Sequence, residues 1–265
     1  DITQSLSLGG LTYGVTNMEL TSAYASIANG GTYQKPVLYT KVVDHNGNIL
    51  LSNTQKGKRV MKESTAFLLT NAMKDVITKR TGKSAKLSSS MAVAGKSGTT
   101  SNSYDYWFSG YTPYHTASVW MGYDKNTNFA SDNTHKKIWA KVMNEIIKTK
   151  QEQTTDFKKP ADIVKAKVCK ESGKLAIKGV CDHDPRGSRV ITEYFEKGTV
   201  PTQTCDIHVA VEVCKTSDKL ATKNCPANKK QRKIYIVRKK GSHGKTADSP
   251  YMLPKKYQSV FCKKH

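Results

Sequence analysis

All six cysteines of this chain, Cys169, Cys181, Cys205, Cys214, Cys225 and Cys262, lie in its C-terminal part, with none before Cys169. At 265 residues the chain is long enough for one large domain or two smaller ones, and this segregation favours two. Around the cysteines runs a degenerate repeat. Val168-Cys169-Lys170-Glu171-Ser172-Gly173-Lys174-Leu175-Ala176 leads to Cys181, and Val213-Cys214-Lys215-Thr216-Ser217-Asp218-Lys219-Leu220-Ala221 leads to Cys225. An even count in a loop-rich, basic region reads as a disulfide framework made in an oxidising compartment. Two hairpins, each closed by its own bridge, would pair Cys169 with Cys181 and Cys214 with Cys225. Cys205 with Cys262 then follows by elimination. Closing a loop of about a dozen residues contributes roughly 3 kcal/mol, which a thin, polar module needs. Six free thiols are one alternative. Zinc is the sharper rival, with Cys181-Asp182-His183 and Cys205-Asp206-Ile207-His208 as candidate ligand pairs. The Cys-x-x-Cys knuckles of structural zinc sites are absent, so neither metal nor cofactor is expected.

Residues 149–159, polar and ending at Pro160, read as a linker. The expected division is therefore 1–150, 151–160 and 161–265. Within the first part, Thr16 and Glu19 fit a helix-start box. The helix would run to Asn29, bury Leu20, Tyr24 and Ile27, and stop at Gly30-Gly31. Residues 36–52 read as a hairpin, with strands at 37–43 and 49–51 around a turn at 44–48. Apolar residues at 66, 69, 72, 73, 76 and 77 predict a helix over 62–78. A polar linker over 81–90 precedes a strand at 93–100. Strands at 106–111 and 116–123 follow, joined at Thr112-Pro113-Tyr114-His115. A last helix over 135–148 would bury Ile138, Trp139, Val142 and Ile146. The order predicts an α+β fold, an antiparallel sheet flanked by helices, followed by a small strand- and loop-rich extension.

Charge narrows the partners. With 43 Lys+Arg against 21 Asp+Glu the chain is formally +22, so long-range attraction favours anions. No zinc finger, recognition helix or aromatic platform accompanies the charge, and nucleic acid is not expected. A polyanionic wall or a membrane surface fits equally. There is no run of about 18 apolar residues and no leader pattern, and the start at Asp1 reads as that of a mature or excised piece.

Val93-Ala94-Gly95-Lys96-Ser97-Gly98-Thr99-Thr100 carries the chemistry. A β-prone run meets a lysine, a hydroxyl, a glycine and two more hydroxyls. That edge offers a cation, hydrogen-bonding groups and unobstructed backbone to an extended, anionic peptide. The tripeptide alone is weak evidence, and Lys96 by itself reads as an edge-strand lysine that discourages aggregation. Its surroundings are specific. Leu8-Gly9-Gly10-Leu11-Thr12-Tyr13-Gly14-Val15-Thr16, Glu19, Thr21-Ser22-Ala23-Tyr24-Ala25 and Ala28-Asn29-Gly30-Gly31 resemble the transpeptidase domain of class A penicillin-binding proteins. So do Lys96-Ser97-Gly98-Thr99-Thr100, Trp107-Phe108, Gly110-Tyr111-Thr112-Pro113 and Val119-Trp120-Met121-Gly122-Tyr123-Asp124. The blocks keep the family's order across residues 5–148.

In that family Ser-x-x-Lys, Ser-x-Asn and Lys-Thr/Ser-Gly converge on one cleft, and the first serine is acylated by a D-alanyl-D-alanine peptide. The resemblance implies that Lys96 and Ser97 belong to the third motif. Lys96 would supply positive field, and Gly98 would let the substrate backbone approach. The Thr99 N–H would be half of the oxyanion hole, and Ser97 and Thr99, with Thr100 less directly, would hold the terminal carboxylate. The first two motifs are missing upstream of Lys96. Ser131-Asp132-Asn133 and Ser242-His243-Gly244-Lys245 match them by string only, in the reversed order. The expectation is thus a chain that cannot act alone, its serine supplied by an N-terminal remainder preceding Asp1. Implied partners are peptidoglycan stem peptides and β-lactams, on the extracytoplasmic face of the bacterial membrane. A D,D-carboxypeptidase or serine β-lactamase of the same fold, and a wall-binding extension drawn to anionic polymers, are the alternatives. Trp107, Trp120 and Trp139 read as core, Asp105 and Asp124 as isolated loop carboxylates, and His45 and His115 as solvated turn residues.

Overall fold

In the computed structural model, which describes residues 3–238 and 246–264, Thr16 caps the first helix as its sequence demands. The Thr16 N–H donates to Glu19 Oε2 (2.8 Å) and the Glu19 N–H to Thr16 Oγ1 (3.2 Å), so two otherwise orphaned donors are satisfied reciprocally. The chain forms two compact units, Asp1–Asp162 and Ile163–His265.

The first unit runs α1 (Asn17–Ala28), β1 (Thr32–Tyr33), β2 (Lys41–Val43), β3 (Ile49–Ser52), β4 (Lys58–Arg59), α2 (Glu63–Lys79), β5 (Ala94–Thr99), β6 (Asp105–Tyr111), β7 (Thr116–Gly122) and α3 (Thr134–Lys150). Strands β5, β6 and β7 form an antiparallel sheet in that order. Alternation along the strands sends side chains to opposite faces. Phe108 packs with Trp139, Ala140 and Met143 of α3, its ring edge-on to Trp139 at 5.2 Å. On the other face Tyr111 and Ala94 meet Met73 of α2 and Tyr24 and Ile27 of α1. Trp139 Nε1 donates to the Ala117 carbonyl (2.9 Å), so this buried indole keeps its hydrogen bond.

Four expectations need correction here. The buried face of α2 is Ala66, Thr70, Met73 and Ile77, while Leu69 is exposed. Thr70 turns inward because its hydroxyl pairs with Tyr111 OH at 2.7 Å. In α3, Trp139 is buried, but the face continues through His135, Lys136, Ala140 and Met143, and Ile138 and Val142 are exposed. Residues 81–90 are not simply a linker: Ala85 and Leu87 sit in the core. Nor is 151–160 a free connection, since Phe157 stacks edge-on against Tyr111 (5.4 Å) and Asp156 pairs with Lys74 (2.6 Å). In each case apolar periodicity set the element but left its rotation, or the docking of a polar stretch, undetermined.

In the second unit β8 (Ile163–Cys169) pairs antiparallel with β9 (Val190–Glu196). Strand β10 (His208–Cys214) lies between β11 (Lys219–Leu220) and β12 (Lys230–Ile236), and α4 covers Lys256–Ser259. The disulfide pairings are not found. All six cysteines are free and buried. They gather as Cys169, Cys181 and Cys205 in one cluster and Cys214, Cys225 and Cys262 in another. Cys205 and Cys262 thus belong to different clusters, because Cys205 lies beside the bridge between Leu175 and Thr204, whereas Cys262 follows the bridge between Leu220 and Phe261.

Candidate functional site

Strand β5 passes from core to surface within six residues. Ala94 and Gly95 are buried, Lys96, Gly98 and Thr99 are exposed, and Ser97 is half-buried. Among the described residues β5 pairs only with β6, leaving its other edge open. An open edge can accept an extended peptide as an added strand. Register places Lys96 opposite Ser109, Ser97 opposite Phe108 and Gly98 opposite Trp107. At Gly98 a Cβ would meet only Trp107 Cβ, at 3.6 Å, and otherwise point into open space. Gly95 answers to packing instead, for its Cβ would lie 2.8 Å from the Ser109 carbonyl oxygen.

Each predicted site residue has a defined setting. Lys96 Nζ donates to the Ser97 carbonyl (2.6 Å), which keeps the ammonium beside the strand. The Ser97 hydroxyl is 3.3 Å from Thr81 Oγ1, a partner that sequence reasoning missed because it sits after α2. Thr100 does not present its hydroxyl freely: Oγ1 donates to Asp105 Oδ2 (3.0 Å) and accepts from the Asp105 N–H (2.9 Å). Asp105 is therefore no isolated carboxylate. It also accepts from Trp120 Nε1 (2.8 Å), which ties the β5–β6 turn to β7. That turn holds Asn102 and Ser103 at φ 59° and 56°, in the left-handed region. Burial, then the Lys96 charge, pushes the Lys136 ammonium below its usual value.

Other candidates fall elsewhere. Ser131 faces His135 Nδ1 (3.2 Å) and Asn133 opens α3 at φ 71°, so this string serves a helix start. Ser242 and Lys245 lie outside the described residues. His115 is not a solvated turn residue; its Nε2 lies 2.5 Å from Glu152 Oε1. Trp120 and Tyr123 are exposed at the sheet rim. A cavity of about 570 Å³ lined by Met18, Ser22, Tyr33 and Val60 includes none of residues 96–100.

Residues 2–148 match the family described as penicillin binding protein transpeptidase domain, and residues 159–210 match the penicillin-binding protein 1A, C-terminal domain. The chain is similar to penicillin-binding protein 1A of Clostridium botulinum (strain Langeland / NCTC 10281 / Type F), 36% identical over 256 residues, which covers 94% of this chain and 30% of the relative. It is similar to penicillin-binding protein 1A of Clostridium novyi (strain NT), 32% identical over 254 residues, with 95% of this chain and 29% of the relative covered. The chain thus spans less than a third of the length of these relatives. In fold it is similar to penicillin-binding protein 1A from Haemophilus influenzae, with a TM-score of 0.57 and 23% identity over 72% of this chain and 33% of that one.

Proposed function

The chain belongs to the penicillin-binding protein transpeptidase family, and from that premise we propose that it supplies the Lys-Ser-Gly wall of a peptidoglycan D,D-transpeptidase. In this reading a serine on the remainder of a longer protein attacks the D-alanyl-D-alanine amide and D-alanine leaves. An amine of a neighbouring stem peptide then resolves the acyl-enzyme. The observation that carries the proposal is the open edge of β5, with Lys96, Gly98 and Thr99 exposed along it. Lys96 attracts the substrate carboxylate, which Ser97 and Thr99 hold. Gly98 leaves room for the peptide backbone, and the Thr99 N–H faces the developing oxyanion. β-Lactams acylate the same serine.

Two further features support a longer protein, in which Ser-x-x-Lys and Ser-x-Asn come from the N-terminal remainder. The chain spans 30% of its Clostridium botulinum relative. Leu8, Tyr13 and Leu38 are more than nine-tenths exposed, an apolar surface that a neighbouring segment would cover. That remainder would also hold a glycosyltransferase domain and a membrane anchor on the extracytoplasmic face. Among the described residues no helix is long and apolar enough to cross a membrane. The basic extension adds attraction to anionic wall polymers, which salt should weaken.

Fluorescent penicillin tests the reading. The 265-residue chain should remain unlabelled, a longer protein bearing both upstream motifs should label, and Lys96→Ala in it should slow labelling by about two orders of magnitude, near 3 kcal/mol. Labelling of the Lys96→Ala protein at the parent rate would sink the proposal. Slow release of the acyl group separates a transpeptidase from a β-lactamase.

A further inference from the structure

Cys169 ends β8, Cys181 opens a short 3-10 turn, Cys205 lies just ahead of β10 and His208 is the first residue of β10. The fold brings their sulfur and imidazole nitrogen atoms within 4.8 Å of one another, with all four residues buried. His208 Nδ1 lies 3.4 Å from Cys169 Sγ and 3.3 Å from Cys205 Sγ. Zinc bonds of about 2.3 Å to sulfur and about 2.0 Å to nitrogen set tetrahedral neighbours roughly 3.5–3.8 Å apart, so these contacts already have close to the length of a tetrahedron's edge.

Three sulfurs are the wrong number for a disulfide. A bridge would use two of them and strand the third thiol in the interior beside His208. One soft divalent cation takes all three, and the imidazole completes four-coordination. The surroundings are prepared for it. His208 Nε2 faces Asp184 Oδ2 at 2.7 Å, both side chains being fully buried. Asp184 is held in turn by Arg186 Nε (2.9 Å) and Nη2 (2.7 Å). A carboxylate at Nε2 keeps the proton there and leaves the Nδ1 lone pair aimed at the sulfurs, the outer-shell arrangement of metal-ligating histidines. The Ile177 N–H donates to Cys181 Sγ (3.3 Å), a contact that a metal-bound sulfur also accepts. The partly buried Ala176, Ile177, Val190 and Ile207 pack around the sulfurs, so the cluster forms a small core of its own. Small modules of that kind rely on a staple.

We propose that Cys169, Cys181, Cys205 and His208 form a structural Cys3His zinc site. Binding displaces the three thiol protons to solvent and couples metal affinity to folding of the extension. The other half of the repeat is built alike. Cys214, Cys225 and Cys262 also converge within 4.8 Å, and the Thr222 N–H donates to Cys225 Sγ (3.3 Å). In sequence His265 follows Cys262 at the spacing that separates His208 from Cys205; His265 lies outside the described residues.

The test uses the full chain, purified without chelator. Elemental analysis should find at least one zinc per chain, and His208→Ala should lose one equivalent. Asp184→Asn keeps every ligand and should weaken zinc about 10- to 100-fold in chelator competition. Should either variant fail to fold, the unsubstituted chain refilled with Co2+ should show thiolate-to-cobalt charge transfer and tetrahedral ligand-field bands. A metal-free chain without those bands, or an unreduced digest in which two of Cys169, Cys181 and Cys205 are covalently linked, overturns the proposal.

Discussion

Two glycines on one strand separate the packing role of β5 from its proposed role toward a ligand. At Gly95 an added Cβ would sit 2.8 Å from Phe108 Cζ, 2.8 Å from the Ser109 carbonyl oxygen and 3.0 Å from Gly110 Cα. Carbon contacts are most favourable near 3.5–4.0 Å, and two of these three neighbours are backbone atoms that move only with the sheet. Overpacking of this kind costs about 1–3 kcal/mol, so Gly95→Ala should lower the melting temperature of the first unit by about 2–12 °C. At Gly98 the same methyl meets one atom at ordinary contact distance, Trp107 Cβ at 3.6 Å. Gly98→Ala should therefore be neutral, or stabilise by up to about 1 kcal/mol through the unfolded chain. Trp107, Trp120 and Trp139, the only tryptophans, all lie before residue 163, so tryptophan fluorescence during a urea titration follows this unit alone. In a protein that also carries the serine, Gly98→Ala should slow β-lactam acylation at least about tenfold, near 1.4 kcal/mol. Equal destabilisation by the two substitutions would refute the packing argument. Normal acylation by Gly98→Ala would refute the claim that its open face admits substrate.

The Thr70–Tyr111 pair, both residues buried, should show asymmetry in a double-mutant cycle: Thr70→Val strands the tyrosine hydroxyl and should cost about 1–3 kcal/mol, whereas Thr70→Val with Tyr111→Phe should cost less than the sum of the single changes. Additive urea-derived values would exclude the pairing. His135 is held down to about 4 by burial and then by the Lys136 charge. Because its folded pKa lies below the unfolded value near 6.5, the unfolded chain binds the extra proton between those values, and stability is lost as pH falls through that window. The loss should be about 2 kcal/mol at pH 5, measured as the pH 7.5 to 5 difference in the parent that His135→Phe removes. Met143→Ala, emptying a fully buried site against Phe108 and Trp139, should cost about 2–5 kcal/mol in the same titration.

Much of this protein was legible in its residues. The Thr16–Glu19 box, the helical periodicity over 62–78 and the strand runs at 106–111 and 116–123 each act through neighbours close in sequence, so local chemistry determines them. The order of short blocks around Lys96 pointed to the family that the chain belongs to, and the lysine motif was legible as a strand because it is one continuous segment. What sequence could not decide was how elements rotate and which distant side chains meet. Helical spacing is satisfied equally by several phases, and only packing against the sheet chose Thr70 over Leu69 and His135 over Ile138. Thr100 looked available to a ligand until the turn folded Asp105 back onto it. The cysteines show the difference most plainly. Their repeat suggested pairs because spacing counts residues along one chain. Strand pairing and the bridges at Leu175 and Leu220 gather them by threes, with His208 and Asp184 brought to one cluster from separate segments. Convergence of that kind depends on contacts between segments far apart in the chain, and only the tertiary structure decides it.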